Sequence, residues 1–516
     1  RLSLTSSSNL IPCRSVRFST SIYIFSRSKI SARFPQNTVQ RLGGFQLNPH
    51  ELGKSQQIKA SLKIMFQLHA ENSVYDHALI IGLGISGFST ACYLRARGLS
   101  VAVTERRPAA EFPVDTLSEL DRLGIAFEEN GHTETYLKPG CLVIPSQDVS
   151  LGHPIIQRGK EQGCRIVGEL ALAAGRFPCP VIAITGTNGK TTVTSLTGSL
   201  LKASGKRVFV GGNIGIPLLD GLADSEHYDA VVLEISNFQA ELAGRFRPDI
   251  GVFLNLSPDH LDRYSDMDAY LSAKLALFRH QTESDIRIFP EADAALRRQA
   301  PGAAKRYLFG LGETADFRIT DSGVHALPAQ HHYGLRSTRL NSPVNRLNSA
   351  AAIAAATLLG CSPEAIRLGL DAYRPQPHRM EKVADHRGVG WIDDSKATNI
   401  GAVQAALGNC QGKVILIAGG RNKNSDFSLL VPQIRRHVRR LILLGEAKTD
   451  IAHALRDICP IHAVDAMETA VRLAADLARP GDTVLLAPGC TSFDMFTDYA
   501  HRGRVFQEHV KRIAAP

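Results

Sequence analysis

Several protein classes are excluded by what this sequence lacks. No apolar run approaches the roughly 20 residues that a membrane-spanning helix needs. The nine cysteines are scattered, without a CxxC pair or the spacing of zinc ligands. That distribution argues against a disulfide scaffold or a structural zinc site and fits a reducing compartment. No internal repeat or coiled-coil heptad is found either.

A basic excess is present, but it is confined to the start of the chain. The formal net charge is +10. Residues 1–64 hold ten of the 59 Lys and Arg residues and only one of the 49 acidic residues, so residues 65–516 are almost neutral. A neutral folded part gives no support for nucleic-acid binding.

The N-terminal extension has a composition of its own. Its first 50 residues contain ten Ser, seven Lys or Arg and no acidic residue, which is typical of an organellar transit peptide. A disordered tail or translated upstream sequence are the alternatives, because Met65 lies shortly before the first clear strand. The expected location is the cytoplasm, or the plastid stroma if residues 1–64 are a transit peptide.

The rest of the chain predicts an α/β protein of three domains, since 516 residues exceed what one hydrophobic core supports. Residues 65–167 predict a Rossmann-like N-terminal domain, and residues 375–516 a C-terminal Rossmann-like domain. Residues 168–374 predict a central P-loop ATPase-type domain, with peripheral strands and loops at 282–340. Buried strands are predicted at 99–103, 165–167, 181–185, 207–210, 230–234, 250–255, 413–418, 440–444 and 483–487.

The most informative segment is a glycine-rich turn between a hydrophobic strand and a helix. Residues 181–192 read VIAITGTNGKTT. Two residues separate the glycines, whereas the usual P-loop has four between them. Backbone N–H groups and the helix N-terminus can bind a polyphosphate, Lys190 adds a cation, and a Thr hydroxyl can bind Mg²⁺. By itself the segment indicates phosphate binding and nothing more.

An earlier glycine turn allows two interpretations. GLGISG at 82–87 follows a strand, and Glu105 lies near the end of the next one. This pattern is the dinucleotide fingerprint, so an NAD-dependent dehydrogenase is one alternative. The same backbone suits any nucleotide diphosphate, and a dehydrogenase leaves the loop at 186–192 without a role.

Further polar segments follow the phosphate loop. GGNIG occupies 211–215, and Glu234 ends a strand, where a carboxylate can bind Mg²⁺. NLSPDHLDRY at 255–264 ends another strand. Lys274 taken alone would be a solvated helix lysine. DDSKATN occupies 393–399.

Together, these segments resemble the Mur ligase family over about 65–516. Mur ligases are ATP-dependent enzymes that form amide bonds in peptidoglycan precursor synthesis. DSKATN and the opening GLGxSG are similar to the branch that adds D-glutamate to UDP-N-acetylmuramoyl-L-alanine through an acyl phosphate. The resemblance implies ATP and Mg²⁺ as cofactors, these two substrates, a monomer, and neither a nucleic-acid nor a membrane partner.

The resemblance also implies roles for single residues. The catalytic residues would be Lys190, His260 and Lys274. The metal ligands would be Thr191, Glu234, His260 and Lys274, with the lysine carbamylated because an ammonium has no lone pair. The ATP-binding residues would be Gly186, Thr187, Asn188, Gly189, Lys190, Thr191, Thr192, Asn345, Asn348, Arg379 and Asp394. The substrate-binding residues would be Gly84, Ser86, Gly87, Thr104, Glu105, Arg106, Asn213, Lys396, Thr398, Lys423, Ser492 and Tyr499.

Four departures from the family pattern leave the implied metal ligands in place. They are Val344 for a His before Asn345, Gln147 and Asp148 for Pro-Gly, the inserted Arg421 and Asn422, and Tyr499 for a Phe. These departures bear on the contacts to adenine, the muramoyl sugar and D-glutamate. The alternatives are a sister ligase, L-alanine-adding or folylpolyglutamate-type, and a non-catalytic relative that binds uridine nucleotides.

Overall fold

The structure is a computed structural model that describes residues 66–69, 71–147, 149–260, 263–410 and 412–515. The predictions for residues 1–64 and for Asp148, and Asp262 of the polar segment at 255–264, lie outside these residues. The described residues belong to one unit, Lys63–Pro516, which contains three larger sheets and a two-stranded ribbon. Within them, every helix is too short or too polar to cross a bilayer.

The N-terminal sheet has five parallel strands in the order β5-β4-β3-β6-β7. Its β3 and β4 are almost wholly buried, as expected for a parallel sheet covered on both faces. The strands, with the antiparallel ribbon β1–β2, are β1 (Phe66–Gln67), β2 (Val74–Tyr75), β3 (His77–Ile81), β4 (Ser100–Thr104), β5 (Ala126–Glu128), β6 (Leu142–Pro145) and β7 (Arg165–Ile166). The helices are α1 (Ile85–Ala96), α2 (Val114–Arg122), α3 (Pro154–Glu161) and α4 (Glu169–Ala173).

The central sheet has nine strands in the order β16-β15-β14-β13-β12-β11-β8-β10-β9. Its strands run parallel from β9 to β14, and β15 and β16 are antiparallel. The strands are β8 (Val181–Thr185), β9 (Val208–Gly212), β10 (Ala230–Glu234), β11 (Ile250–Phe253), β12 (Ile286–Pro290), β13 (Lys305–Gly310), β14 (Phe317–Ile319), β15 (Gly323–Ala326) and β16 (His331–Gly334). The helices are α5 (Lys190–Ala203), α6 (Leu218–Gly221), α7 (Asn237–Glu241), α8 (Met267–Leu275), α9 (Ala294–Gln299), α10 (Pro343–Leu358) and α11 (Pro363–Ala372).

The C-terminal sheet has six strands in the order β17-β18-β22-β19-β20-β21, all parallel except the edge strand β17. The strands are β17 (Glu381–His386), β18 (Val389–Asp393), β19 (Val414–Gly419), β20 (Val438–Leu444), β21 (Ile461–Ala463) and β22 (Thr483–Gly489). The helices are α12 (Ile400–Asn409), α13 (Val431–His437), α14 (Lys448–Ala454), α15 (Met467–Leu477) and α16 (Tyr499–Ala514). Short 3₁₀ helices lie at Ala109–Glu111, Leu222–His227, Ala276–Phe278, Leu327–Ala329 and Phe427–Leu430.

The predicted α/β architecture is confirmed, and the differences lie at strand ends. Strand β11 ends at Phe253 rather than at 255, because the chain turns there to meet the phosphate loop. Strand β9 covers Val208–Gly212 rather than 207–210, and the backbone N–H of Arg207 donates to Asp229 Oδ2 at 2.8 Å. The weak region at 282–340 forms five strands that extend the central sheet, together with the unpredicted helix α9.

Candidate active site

The phosphate loop joins β8 to α5 and approaches its neighbours closely. Gly186 and Gly189 both have positive φ angles, 141° and 85°. A Cβ on Gly189 would lie 2.4 Å from Oδ1 of Asn348, so the loop tolerates no side chain there. Lys190 Nζ donates to the carbonyls of Gly186 at 2.9 Å and Thr187 at 2.7 Å. The loop carbonyls therefore hold the side chain of Lys190, which is predicted to bind the phosphates of ATP.

The end of β11 fixes the shape of this loop. The backbone N–H of Asn188 donates to Asn255 Oδ1 at 2.9 Å, and Asn255 Nδ2 donates back to the Asn188 carbonyl at 3.0 Å. The hydroxyl of Thr187 donates to the Ser257 carbonyl at 3.2 Å. Asn255 and Ser257 were not among the predicted site residues, although their position at a strand end in a polar segment was the available signal.

A carboxylate lies beside the first turn of α5. Thr191 Oγ1 donates to Glu234 Oε2 at 2.7 Å, and Asn213 Nδ2 donates to Glu234 Oε1 at 2.9 Å. Glu234 is buried. A buried carboxylate with a hydroxyl next to it supplies the oxygen ligands that Mg²⁺ prefers. The predicted pair of Thr191 and Glu234 thus fits a metal ion, and Asn213 contacts the same carboxylate.

Lys274 is not a solvated helix lysine, because its side chain is fully buried. Its Nζ donates to the Gly186 carbonyl at 2.9 Å and lies 4.5 Å from the centre of the Tyr270 ring. Burial lowers the pKa of Lys274 well below its usual value, and the charge of Lys190 lowers it further. The neutral amine favoured by this environment is the form that can react with CO₂ to give a carbamate.

His260 lies near Tyr270, the aromatic side chain that also contacts Lys274. Its ring centre is 6.4 Å from that of Tyr270 and 4.9 Å from that of Phe238. Its backbone has a φ of 57°, and its N–H donates to Asp259 Oδ1 at 3.0 Å. The structure therefore brings His260 and Lys274 to one aromatic cluster, in which Tyr270 was missed because an isolated helix Tyr carries no functional pattern.

The C-terminal domain contacts the phosphate loop and Asp259 through Asn399, which precedes α12. Asn399 Nδ2 donates to Asp259 Oδ2 at 2.9 Å and to Asn188 Oδ1 at 3.2 Å. Lys423 Nζ is 3.9 Å from Asp259 Oδ1. Burial raises the pKa of Asp259, but the charges of His260 and Lys423 outweigh it and hold that pKa below its usual value. An ionised Asp259 therefore joins the central and C-terminal domains.

Other predicted residues of the C-terminal domain form a second cluster around Lys396 and Tyr499. Lys396 Nζ lies 3.7 Å from the centre of the Tyr499 ring. Burial lowers the pKa of Lys396 to about 8, assisted by the charge of Arg379. Burial also raises the pKa of Asp394 to about 7, against the opposing effect of Arg379. Ser492 is buried after β22, and Thr398 is half-buried beside the cluster.

A buried hydrogen-bond network holds this cluster in place. His378 Nδ1 lies 2.6 Å from Asp393 Oδ2, and Gln507 Nε2 donates to the same oxygen at 2.8 Å. Gln507 also donates to Glu381 Oε2 at 3.0 Å. The network ties the residues on either side of Arg379 to α16. It was not predicted, since its members are far apart in sequence.

The N-terminal glycine turn is held by Glu105. Its carboxylate accepts hydrogen bonds from the Leu83 N–H at 2.7 Å and from Arg107, whose Nη2 is 3.1 Å away. Burial raises the pKa of Glu105, but these hydrogen bonds outweigh it and hold the pKa at about 2. A Cβ on Gly87 would lie 2.1 Å from the Gly82 carbonyl oxygen. Glu105, which was predicted to bind the substrate, therefore holds the backbone of the glycine turn in place.

The remaining residues predicted for this domain differ in exposure. Thr104 is fully buried, and its hydroxyl donates to the Gly131 carbonyl at 2.8 Å and lies 3.0 Å from His132 Nδ1. Arg106 and Gly84 are exposed, and Ser86 is half-buried. Among the described residues, no hydrogen bond or ion pair joins the turn at 82–87 to the phosphate loop.

One departure from the family pattern has a visible structural role. Gln147 Oε1 accepts a hydrogen bond from Ser236 Oγ at 3.0 Å, and its carbonyl accepts one from Arg263 Nη1 at 2.8 Å. Gln147 therefore links the N-terminal and central domains. Val344 lies in the first turn of α10, next to Asn345, whose Oδ1 accepts from Asn348 Nδ2 at 3.4 Å.

The remaining departures lie in the C-terminal domain. Arg421 pairs with Glu446 at 2.9 Å on the surface, and Asn422 Oδ1 accepts a hydrogen bond from the Ser425 N–H at 2.9 Å. Tyr499 supplies the ring beneath Lys396. Arg421 therefore faces solvent, whereas Tyr499 belongs to the second cluster.

Three family models match the chain in the order of its three sheets. They are the MurD-like N-terminal domain over residues 76–168, the Mur ligase middle domain over 184–356, and the Mur ligase glutamate ligase domain over 378–490. A UDP-N-acetylmuramoylalanine–D-glutamate ligase from Desulfotalea psychrophila is 43% identical over 84% of this chain and 95% of its own length. The chain belongs to the Mur ligase family.

Other proteins similar to this Mur ligase are matched over almost their whole length. A UDP-N-acetylmuramoylalanine–D-glutamate ligase from Desulfosudis oleivorans is 38% identical over 84% of this chain and 96% of its own length. The crystal structure of the UDP-N-acetylmuramate–alanine ligase from Thermotoga maritima matches with a TM-score of 0.54 at 19% identity, over 85% of this chain and 99% of that one. The family assignment removes the reading of the first glycine turn as a dehydrogenase site.

Proposed function

We propose that this Mur ligase joins D-glutamate to UDP-N-acetylmuramoyl-L-alanine, with conversion of ATP to ADP and phosphate. The observation that carries the proposal is that residues from separate segments and two domains contact the phosphate loop and the start of α5 around Lys190. They are Glu234, Lys274 and Asn399. The names of the similar ligases support the choice of substrates. The activity belongs to peptidoglycan precursor synthesis.

The chemistry requires activation of a carboxylate, because a carboxylate is a poor electrophile. Its oxygen takes the γ-phosphoryl group of ATP to form an acyl phosphate. The amine of D-glutamate then attacks the acyl carbon, and phosphate leaves from the tetrahedral intermediate. Lys190 and the N–H groups at the start of α5 hold the phosphates and neutralise charge on the transferring oxygens. The C-terminal domain, joined through Asn399, excludes water from the acyl phosphate.

Two metal positions belong to the proposal. Thr191 and Glu234 would hold one Mg²⁺, and His260 with carbamylated Lys274 would hold another. Bound Mg²⁺ would stabilise the negative charge of the phosphoryl oxygens. A carbamate at Lys274 would place an anion next to the buried Lys190 amine near the Gly186 carbonyl, and an opposite charge stabilises the Lys190 cation.

The substrates are assigned to the two outer domains. The turn at 82–87 and Asn213 would bind the uridine nucleotide. Thr104, Glu105 and Arg106 belong to the same proposed site. For D-glutamate, the second cluster offers cations and hydroxyls suited to carboxylates. The proposed D-glutamate residues are Lys396, Thr398, Lys423, Ser492 and Tyr499. The adenine nucleotide would contact Asn345, Asn348, Arg379 and Asp394.

Phosphate release by the full chain tests the proposal. The assay contains ATP, Mg²⁺ and UDP-N-acetylmuramoyl-L-alanine, and D-glutamate, L-glutamate and L-alanine are added separately. We expect release with D-glutamate alone. Release with another amino acid only would assign a sister activity, and release with none of them would support a non-catalytic relative. The cytoplasmic location and the monomeric state stay predictions.

A further inference from the structure

A cavity of about 510 Å³ lies in the N-terminal part of the described chain. Its lining includes Phe66, Gln67, His69, Arg97 and Arg176. We call it the arginine pocket. Its volume falls in the range of small-molecule sites, roughly 300–1,000 Å³.

The arginine pocket is separate from the site described above. Arg97 follows the last residue of α1, whereas the glycine turn precedes its first residue. The 12 residues of α1 therefore separate the two by about 18 Å. Arg176 follows α4, on the chain segment that leads to the central domain. A ligand in the pocket would therefore lie about one helix length from the glycine turn at 82–87.

Both guanidinium groups are held in position by aromatic rings. The Arg97 guanidinium carbon lies 3.6 Å from the centre of the Tyr93 ring, and that of Arg176 lies 4.6 Å from the centre of the Phe66 ring. The two rings contact each other edge to face, with centres 6.4 Å apart. Stacking of this kind orients a guanidinium before any ligand binds.

The hydrogen bonds within the protein leave donors unused. Arg97 Nη1 donates to the Tyr93 carbonyl at 3.4 Å. Arg176 Nε donates to the Leu172 carbonyl at 2.8 Å and its Nη2 to the Gln67 carbonyl at 2.7 Å. These bonds satisfy one carbonyl in each of the helices α1 and α4 and one in strand β1. Among the described residues, Nε and Nη2 of Arg97 and Nη1 of Arg176 have no hydrogen-bond partner.

In the described part of the chain, no negative charge compensates the two arginines of the pocket. Neither Arg97 nor Arg176 forms an ion pair with a carboxylate of the described residues, and the described lining contains no Asp or Glu. Burial lowers the pKa of Arg97, and the charge of Arg176 lowers it further. Two partly buried cations close together are unfavourable unless an anion neutralises them.

We propose that the arginine pocket binds a small molecule carrying a phosphate group. Two stacked guanidinium groups with unused donors match the several acceptor oxygens of a phosphate dianion. His69, in the same lining, can add a further donor. The cavity has room for an organic group attached to the phosphate, so free phosphate and a phosphate monoester share the same recognition chemistry.

Calorimetric titration of the full chain in chloride buffer tests this proposal. The probes are inorganic phosphate, glycerol 3-phosphate and, for carboxylates, malonate. Phosphate can also bind the loop at Lys190, so the titration is repeated with Lys190→Ala and with Arg97→Gln. We expect the Lys190→Ala variant still to bind phosphate in the arginine pocket. Arg97→Gln should weaken binding in this pocket about tenfold or more, since a charged hydrogen bond contributes about 1.5–3 kcal/mol.

Two controls make the result decisive. Arg97→Lys keeps the charge and should give an intermediate affinity, and the unfolding midpoint of each variant shows that it is folded. Ligase activity of Arg97→Gln should equal that of the wild type, so the outcome is independent of the proposed function. Loss of all phosphate binding in Lys190→Ala, unchanged binding in Arg97→Gln, or stronger binding of malonate would each overturn the proposal.

Discussion

At the scale of single residues, burial changes what a lysine can do. Lys274 would be solvated on an average helix, but here it is fully enclosed between the phosphate loop and Tyr270. Its pKa is lowered well below the usual value, first by burial and then by the charge of Lys190. A lysine that favours the neutral form can become a carbamate and so an anionic metal ligand.

Replacement of Lys274 tests this role. We expect Lys274→Ala to lose about 100-fold or more in kcat, or about 2.7 kcal/mol of transition-state stabilisation, because the proposed metal site would lose a ligand. The exposed Lys202→Ala on α5 is the matched control and should keep full activity. Phosphate release and the unfolding midpoint are measured for both. A folded Lys274→Ala of normal activity would refute the carbamate assignment.

Asp394 predicts a pH effect on stability. Its pKa is about 7 in the folded protein against 3.8 in a free side chain. The folded protein therefore binds a proton that the unfolded chain releases between pH 4 and 7, so this group lowers the free energy of unfolding as pH rises through that range. The free energy of unfolding, measured with urea, should decrease less between pH 5 and pH 7.5 for Asp394→Asn than for the wild type. Exposed Asp121→Asn should behave as the wild type, and an equal decrease in all three would contradict the assignment.

At the scale of elements, the strand–turn–helix of the N-terminal domain depends on close backbone approach. Gly87 lies in the first turn of α1, against the carbonyl of Gly82, whereas a Cβ on Gly84 would meet nothing within 4 Å. We expect Gly87→Ala to lower the free energy of unfolding by about 2 kcal/mol or more and Gly84→Ala by about 0.5 kcal/mol or less. Denaturant unfolding of the two variants provides the comparison. Similar values for both would show that the turn can relax.

The start of α12 combines a helix cap with a contact between domains. Asn399 Oδ1 accepts from the Ala402 N–H at 2.8 Å while its Nδ2 binds Asn188 and Asp259. Ser362 caps α11 in the same way by accepting from Ala365.

Alanine at either position should therefore cost about 1 kcal/mol of stability. Only Asn399→Ala should also reduce kcat, because only Asn399 contacts the phosphate loop. Denaturant unfolding and phosphate release are measured for each variant. Equal activity of the two would argue against a role for this contact in catalysis.

Sequence patterns predicted the elements better than the contacts between them. Continuous apolar runs predicted β8 and β10 to the residue, because buried parallel strands have no polar face. The glycine loop and the strand end at Glu234 predicted a phosphate and metal site from the residues themselves. The roles of Lys274, Arg379 and the D-glutamate residues came only from the family resemblance, and they stay predictions. Asn255, Tyr270 and Gln507 were missed, since their roles depend on residues 10 to more than 100 positions away. The linking role of Gln147 could not be predicted, because it requires the relative positions of two domains.

At the scale of the whole molecule, the central and C-terminal sheets direct loops to a shared centre. The carboxyl ends of the central strands supply the phosphate loop, Glu234 and the segment after β11, and the C-terminal domain adds Asn399 and Lys423. Loops at the carboxyl ends of parallel strands are the usual ligand sites of such folds. The central and C-terminal domains thus contribute different groups to one centre.

The central claim is that this centre activates a carboxylate by phosphoryl transfer from ATP. The most direct test uses UDP-N-acetylmuramoyl-L-alanine with ¹⁸O in its terminal carboxylate, together with ATP, Mg²⁺ and D-glutamate. Phosphorus NMR of the released phosphate follows the label. We predict one ¹⁸O atom in each phosphate formed, since the acyl phosphate oxygen leaves with phosphorus. Amide formation with unlabelled phosphate would contradict the mechanism.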